Sequence, residues 1–414
     1  MQKNKSILFI SALDFKEKSI QVIRKTPEAY VKAGWEVHYL LLRDTSNQGY
    51  YFYETPFNPN GVFVYRFVFP LSNLKNKINS KILFRFIRVI SNYLAIIKLF
   101  YEGRKILKDK SFDVIYGYES HAFFSVKLLQ KFGYSGKAKV VARFMGTFLF
   151  KYLTEKNWEK LILNWEMFLP LKWSSNLCIM TDDGTEGDKA LKKIKSKHLV
   201  NYRFWINGVD GLTASDEEKI IWKAILNPES KKVVLSISRL VGWKKVERGL
   251  QIVAKYVELT KDKDIIYYIL GDGDKKAELE QLAKMLNIAD NVVFTGAIPN
   301  AEVKKYLHIA DIFISTYDGS NVGNPLLEAI RTNNIIFTLN NGDTSIWIKH
   351  SQNGFIYNED SNYINLAAKD LYLLFNNKML QAELKKNIKQ TEHEKLWTWE
   401  ERMNTEISEV TKLL

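Results

Sequence analysis

Short runs of β-branched and aromatic residues alternate with longer amphipathic patterns along most of this chain. In the second half VVLSISR (233–239), IIYYIL (265–270), NVVFTG (291–296), IFIS (312–315) and IIFTL (335–339) read as buried strands. Between them KVERGLQIVAKYVEL, KKAELEQLAKMLNI, NAEVKKYLHIA and NPLLEAIRT space their apolar residues as helices do. Apolar strands separated by such helices predict βαβ units, a parallel sheet and right-handed crossovers. The first half repeats the pattern. SILFISAL, WEVHYLLL, VFVYRFVF, DVIYGY, KVVARF and LCIMT are strand-like, and IQVIRKTPEAYVKAG is a helix stopped at Gly34, with Pro27 near its first turns or kinking it. Residues 71–110 and 150–175 predict larger helical insertions, and LWTWEERMNTEISEVTKLL predicts a terminal amphipathic helix.

A chain of 414 residues exceeds what one core supports, which predicts two parallel-sheet domains joined near the polar stretch NGVDGLTASDEEK (207–219). A hydrophobic content of 46% with 26% charged residues excludes a disordered chain. The single cysteine, Cys178, excludes an internal disulfide framework and fits a reducing compartment. The apolar run Ile7–Leu13 is too short for a secretory leader and ends at Asp14. Charge is uneven: residues 1–210 carry 34 Lys+Arg against 18 Asp+Glu, and residues 211–414 carry 26 against 28. A basic first half implies an anionic partner: nucleic acid, an acidic membrane surface or a phosphorylated acceptor.

Ligands of open parallel sheets sit beyond the carboxyl ends of the strands, so the segments there hold the candidate chemistry. Arg239 and Lys244, after the 233–239 strand, could converge on a diphosphate as a planar fork and a point charge. Gly271 and Gly273 in LGDGDKK permit close backbone approach. Asp272-Gly273-Asp274 could hold a hard cation, but Asp274 reads better as a helix N-cap and no metal is expected. In TYDGSNVGNPLLEAI (316–330), Asn324 is expected as N-cap and Pro325 at the first helical position, so the helix start offers N–H donors to an anion. Glu119 and His121 follow the DVIYGY strand, and Arg143, Gly146 and Thr147 follow KVVARF.

The ordered features RLVGWK, LGDGDKKAELEQLA, NVVFTGAIPNAEVKKYLHIADIFISTY, GSNVGNPLLEAI and QNGFIY resemble the nucleotide-sugar-binding domain of glycosyltransferase family 4. The resemblance covers roughly residues 200–400 and is weaker in the first half, where the family's Gly-Gly loop is missing. It implies the α/β GT-B architecture: two Rossmann-like, doubly wound parallel-sheet domains facing a central cleft. The implied division is an acceptor-binding domain 1–212, a nucleotide-sugar-binding domain 213–395 and a helix 396–414 crossing back to the first domain. It also implies a metal-independent retaining transferase with no cofactor, a nucleoside-diphosphate sugar being its substrate. By this resemblance Arg239 and Lys244 clamp the donor diphosphate, and Glu328, the second acid of E-x7-E, holds the ribose. Gly323, Asn324 and Pro325 face the sugar and phosphate, Gly296, Ala297 and Ile298 touch the base, and Gly271 and Gly273 form the family's GDG turn. Ser320 stands where the family has the first acid of E-x7-E, so Ser320 and Asn321 are expected to meet the sugar differently. His121 is expected to take a catalytic or substrate role.

Residues 71–110 hold ten Lys/Arg and two acids, with Leu83, Phe84, Ile87, Ile90, Leu94 and Ile97 at helical spacing. That pattern suits an anionic leaflet, and Trp158, Trp165 and Trp173 suit interfacial depth. The expected acceptor is therefore a sugar or lipid-linked group near a membrane, as in bacterial surface polysaccharide synthesis. The expected location is cytoplasmic, peripheral to the inner face of the cell membrane. A basic nucleic-acid-binding protein and a phosphorylase on a similar scaffold are the alternatives; no nucleic-acid module is recognisable.

Overall fold

The computed structural model describes residues 5–15, 22–46, 55–78 and 80–414. It divides into two compact units. The first comprises Met1–Asp182, Glu186–Asn207 and Trp399–Leu414; the second comprises Asp183–Thr185 and Gly208–Thr398.

The first unit carries seven parallel strands: β1 (Ser6–Ser11), β2 (Glu36–Arg43), β3 (Val62–Val68), β4 (Val114–Tyr118), β5 (Lys139–Phe144), β6 (Leu177–Thr181) and β7 (Tyr202–Trp205). Their order across the sheet is β3-β2-β1-β4-β5-β6-β7. The two-residue period of a strand divides the core into two layers. Leu8 and Ile10 of β1 join Ala95, Leu99, Phe123 and Val126 of the helices Lys81–Asp109 and Ser120–Lys131. Ile7 and Phe9 face the other way, onto Val22, Ile23 and Tyr30 of helix Val22–Lys32 and Trp399, Met403 and Val410 of helix Trp399–Thr411. Pro27 lies inside the helix Val22–Lys32, and expected helical residues 20 and 21 fall outside the described ones.

Buried charge fixes the last helix to this sheet. Arg143 of β5 donates to Glu406 at 2.8 Å, the Tyr116 hydroxyl donates to the same carboxylate at 2.8 Å, and Arg402 lies 3.0 Å from it. Arg143, Arg402 and Glu406 are all fully buried, so two guanidinium groups share one carboxylate inside the fold.

The second unit carries six parallel strands: β8 (Lys232–Ile237), β9 (Ile265–Leu270), β10 (Val292–Gly296), β11 (Ile312–Ser315), β12 (Ile335–Leu339) and β13 (Phe355–Tyr357). Their order is β10-β9-β8-β11-β12-β13. The chain winds outward from β8 to β10, then returns through helix Asn300–Ile309 to β11 on the other side of β8. The carboxyl ends of β8 and β11 therefore flank a topological switch point, the place where open parallel sheets bind their ligands. Val234, Ile269, Ile314 and Phe337 lie in one core with Leu250 and Val253 of helix Glu247–Thr260 and Ala367, Ala368 and Leu371 of helix Tyr363–Phe375.

Candidate functional site

The loop after β8 carries both expected cations and is built on glycine. Leu240 donates its N–H to the Asp272 carbonyl at 2.9 Å and accepts from Lys275 at 3.0 Å. A Cβ on Gly271 would overlap the Ser238 carbonyl, and one on Gly273 the Leu240 carbonyl. Gly271 also has φ +138°, a conformation that side chains oppose. These glycines thus seat the backbone that presents Arg239. Gly271 donates its N–H to Gly296 at 3.0 Å, which brings in the end of β10 as well; beyond it Ala297 is exposed and Ile298 half-buried.

Lys244 ends a short 3₁₀ turn, Gly242–Lys244. Its Nζ lies 3.5 Å from the ring centroid of Tyr317, on the β11 side of the switch point, and 4.1 Å from that of Trp243. Among the described residues Lys244 forms no ion pair. Desolvation by its surroundings, with the Arg239 charge nearby, brings its pKa down to about 7. Arg239 itself is exposed. Two cations thus stand together with no carboxylate on Lys244, an arrangement a diphosphate would relieve.

The helix Asn324–Arg331 begins one residue earlier than the sequence suggests. Gly323 is its N-cap, Asn324 is its first residue, and no side chain caps it. Gly323 accepts from Leu327 at 3.1 Å and is extended, so any residue could adopt its backbone. The Asp274 cap is likewise corrected. Helix Lys276–Met285 follows Lys275, no side chain caps it, and the local turn is closed by backbone bonds.

Glu328, on the first turns of its helix, is 8% exposed. Burial, and then the charge of Asp210, push its pKa up to about 7. Asn321 is turned into the protein. Its Oδ1 accepts from Ser315 Oγ and the Tyr317 N–H, each at 2.8 Å, and its Nδ2 donates to Asn341 at 2.8 Å. It therefore clamps the 316–323 loop from inside. Ser320 donates to the Asp183 carbonyl at 2.8 Å. Asp318, two residues upstream, is taken up by Arg248 at 2.9 Å.

In the first unit, His121 lies at the start of helix Ser120–Lys131. Burial lowers its pKa to about 4, so the imidazole is neutral at pH 7, and its Nε2 has no hydrogen-bond partner among the described residues. Glu119 before it has φ 71°, a strained value for a residue with a side chain, and accepts from the Met145 N–H at 3.0 Å. Arg143 belongs to the buried ionic network, not to a strand-end site. Sequence reasoning passed over Trp243, Tyr317, Asp183 and Asp210. The aromatic pair had a signal in its place at two strand ends; the two acids had none, because only folding brings them to Ser320 and Glu328. Among the described residues no group of three or more His, Cys, Asp or Glu could hold a metal ion.

Residues 216–391 match the family model of "Glycosyl transferases group 1". An alpha-monoglucosyldiacylglycerol synthase of Streptococcus pneumoniae is 27% identical over 130 residues, 31% of this chain and 29% of that protein. A poly(ribitol-phosphate) alpha-N-acetylglucosaminyltransferase of Staphylococcus aureus is 26% identical over 215 residues, 47% of this chain and 42% of that protein. The matched stretches thus span less than half the length of these relatives. Among solved structures, Anabaena HepE in complex with UDP-glucose superposes with a TM-score of 0.68 at 15% identity, covering 99% of this chain and 100% of that one. WaaG, a glycosyltransferase involved in lipopolysaccharide biosynthesis, superposes with 0.69 at 14% identity, covering 97% and 99%. Residues 216–391 are thus similar to the glycosyl transferases of group 1, and the fold is GT-B, as in the solved structures it superposes on.

Proposed function

We propose that this protein is a retaining, metal-independent glycosyltransferase of family 4 that moves a sugar from a nucleoside diphosphate to an acceptor. The observation that carries this reading is Lys244, held without an ion pair beside Arg239 at the switch point between β8 and β11. As the glycosidic bond breaks, negative charge collects on the leaving diphosphate. Two cations and the uncapped helix start at Gly323 oppose that charge without rearranging. In this reading Glu328 accepts from ribose hydroxyls, and its burial makes such bonds strong. Gly296, Ala297 and Ile298 offer backbone to a base. Neutral His121 can accept or donate one hydrogen bond to substrate but carries no charge of its own at pH 7.

The acceptor is proposed to be lipid-linked or membrane-proximal, as in bacterial surface polysaccharide synthesis, with the protein peripheral on an anionic membrane face. Helix Lys81–Asp109 supports this. It covers one face with Ala95, Ile96 and Leu99, yet leaves Ile82 82% and Phe86 64% exposed among basic residues. Trp158, at the start of helix Trp158–Leu163, is 65% exposed. Relatives named for a glucosyl lipid and for poly(ribitol-phosphate) support the same class of acceptor. No helix among the described residues is long and apolar enough to cross a membrane.

Thermal shift against UDP, GDP and ADP tests the donor site, because a ligand that binds only the folded state raises the melting temperature. At least one diphosphate should stabilise the protein, and Lys244→Ala should abolish the gain. A full shift surviving in that variant rules out the diphosphate assignment.

A further inference from the structure

At position 320 the family resemblance calls for an acid that would meet the donor sugar, and Ser320 stands there. Its hydroxyl donates to the Asp183 carbonyl oxygen at 2.8 Å and accepts from the Val322 N–H at 3.2 Å. That side chain is spent on fastening two loops. The loop it fastens is 183–185, and two glycines make the contact close. A Cβ on Gly184 (φ +75°) would collide with Ser320 and Val322, and one on Gly342 (φ +52°) would collide with the Gly184 carbonyl. Asp343 donates its N–H to the same carbonyl at 3.2 Å.

These contacts bring the Asp183 backbone against Ser320, in place of an acid at that position. Asp183 is half-buried. Its Oδ1 accepts from the Thr185 N–H at 3.1 Å and the Thr185 hydroxyl at 2.5 Å. Among the described residues no cation pairs with it and Oδ2 accepts no side-chain hydrogen bond. Burial, together with the neighbouring Asp343 charge, pushes its pKa up to about 6. A carboxylate kept against that opposition, with one oxygen uncommitted, is costly unless a ligand uses it.

We propose, resting on the donor-site reading above, that Asp183 Oδ2 accepts hydroxyl hydrogen bonds from the donor sugar and supplies the negative charge that position 320 lacks. Ser320 is then a positioning residue that ties the Asp183 backbone to the loop after β11.

Calorimetric titration with each free diphosphate and with its glucose and N-acetylglucosamine conjugates tests this. Asp183→Asn keeps the turn, since an amide oxygen can still accept from Thr185, and removes the charge. It should weaken the sugar nucleotide about tenfold while the free diphosphate binds as before. Ser320→Ala keeps the carboxylate but loosens it, and should lose part of the same ratio. If both variants fold and bind sugar nucleotide and free diphosphate in the wild-type ratio, the role of Asp183 is overturned while the donor site stands. If the unaltered protein binds no nucleotide, both readings fall together.

Discussion

The ammonium of Lys244 and the ring of Tyr317 face each other at 3.5 Å, joining the loop after β8 to the loop after β11. The Tyr317 hydroxyl in turn donates to the Ile237 carbonyl at 2.8 Å, so the ring is fixed to β8 and cannot swing away. An aromatic face favours a cation, while the loss of water disfavours it, and burial dominates here: the pKa falls to about 7. A bound diphosphate would reverse that balance. At about pH 8 the free protein holds Lys244 mostly neutral, so diphosphate binding should take up close to one proton. Calorimetry in two buffers of different ionisation enthalpy reads this directly. Lys244→Arg should bind with no such uptake, because a guanidinium stays charged. An unaltered protein that takes up no proton would show that Lys244 does not meet the ligand.

Glu328 makes stability depend on pH in a defined window. Its folded pKa, about 7, lies above the ordinary carboxyl value, so the folded state holds its proton more tightly than the unfolded chain. The resulting stabilisation is complete below about pH 4.5 and is lost as pH rises through about 7, roughly 3 kcal/mol in all. Glu328→Gln should flatten this part of the profile in urea titrations followed across that range. A slope unchanged by the substitution would assign it to other groups.

The glycines of LGDGDKK seat the Arg239 loop, which separates two readouts. Gly273→Ala puts a methyl group into the Leu240 carbonyl and should cost about 2–3 kcal/mol of stability. It should also weaken diphosphate binding, although no atom of the new side chain need touch the ligand. Gly296→Ala meets nothing within 4 Å, so its cost should be limited to the backbone strain of φ +72°, about 1 kcal/mol. Equal losses in the two variants would contradict this assignment.

Removing the shared carboxylate from the buried ionic network should be severe. Glu406→Leu leaves Arg143 and Arg402 buried without their counter-charge, which costs about 3–5 kcal/mol. Chemical denaturation measures it. A loss below about 1 kcal/mol would mean that water reaches these groups.

Membrane binding has its own test. The unaltered protein should pellet with vesicles containing phosphatidylglycerol, less so at high salt, and should not shift a DNA duplex. Ile82→Ser combined with Phe86→Ser should release it from vesicles while diphosphate affinity is kept. Duplex binding without vesicle binding would favour the nucleic-acid alternative.

The alternation of apolar strand and amphipathic helix made both sheets readable, because β1, β2, β4 to β6, β8, β9, β11 and β12 are buried runs bounded by polar turns. β7 and β13 escaped: YRFW and FIY are too short for their period to stand out, and both lie at sheet edges. That Arg239 and Lys244 follow β8 and that Glu328 lies on the helix after β11 was legible from order and spacing. The cap residues were not. Asn324 and Asp274 have the right chemistry, but local backbone geometry moved each helix start by a residue or two. Asn321 looked like a ligand group because polar loop residues often are; its burial under Ser315, Tyr317 and Asn341 is a tertiary fact. Asp183 was invisible for the same reason, lying 137 positions before the serine it meets.

The helix Trp399–Thr411 completes a core begun almost four hundred residues earlier. During translation the β1–β7 sheet therefore emerges long before Glu406 can neutralise Arg143, whereas every residue of the 208–398 segment precedes that helix. The later-made half can finish folding first, and the earlier-made half must wait for it, its exposed apolar face a natural client for chaperones in the interval.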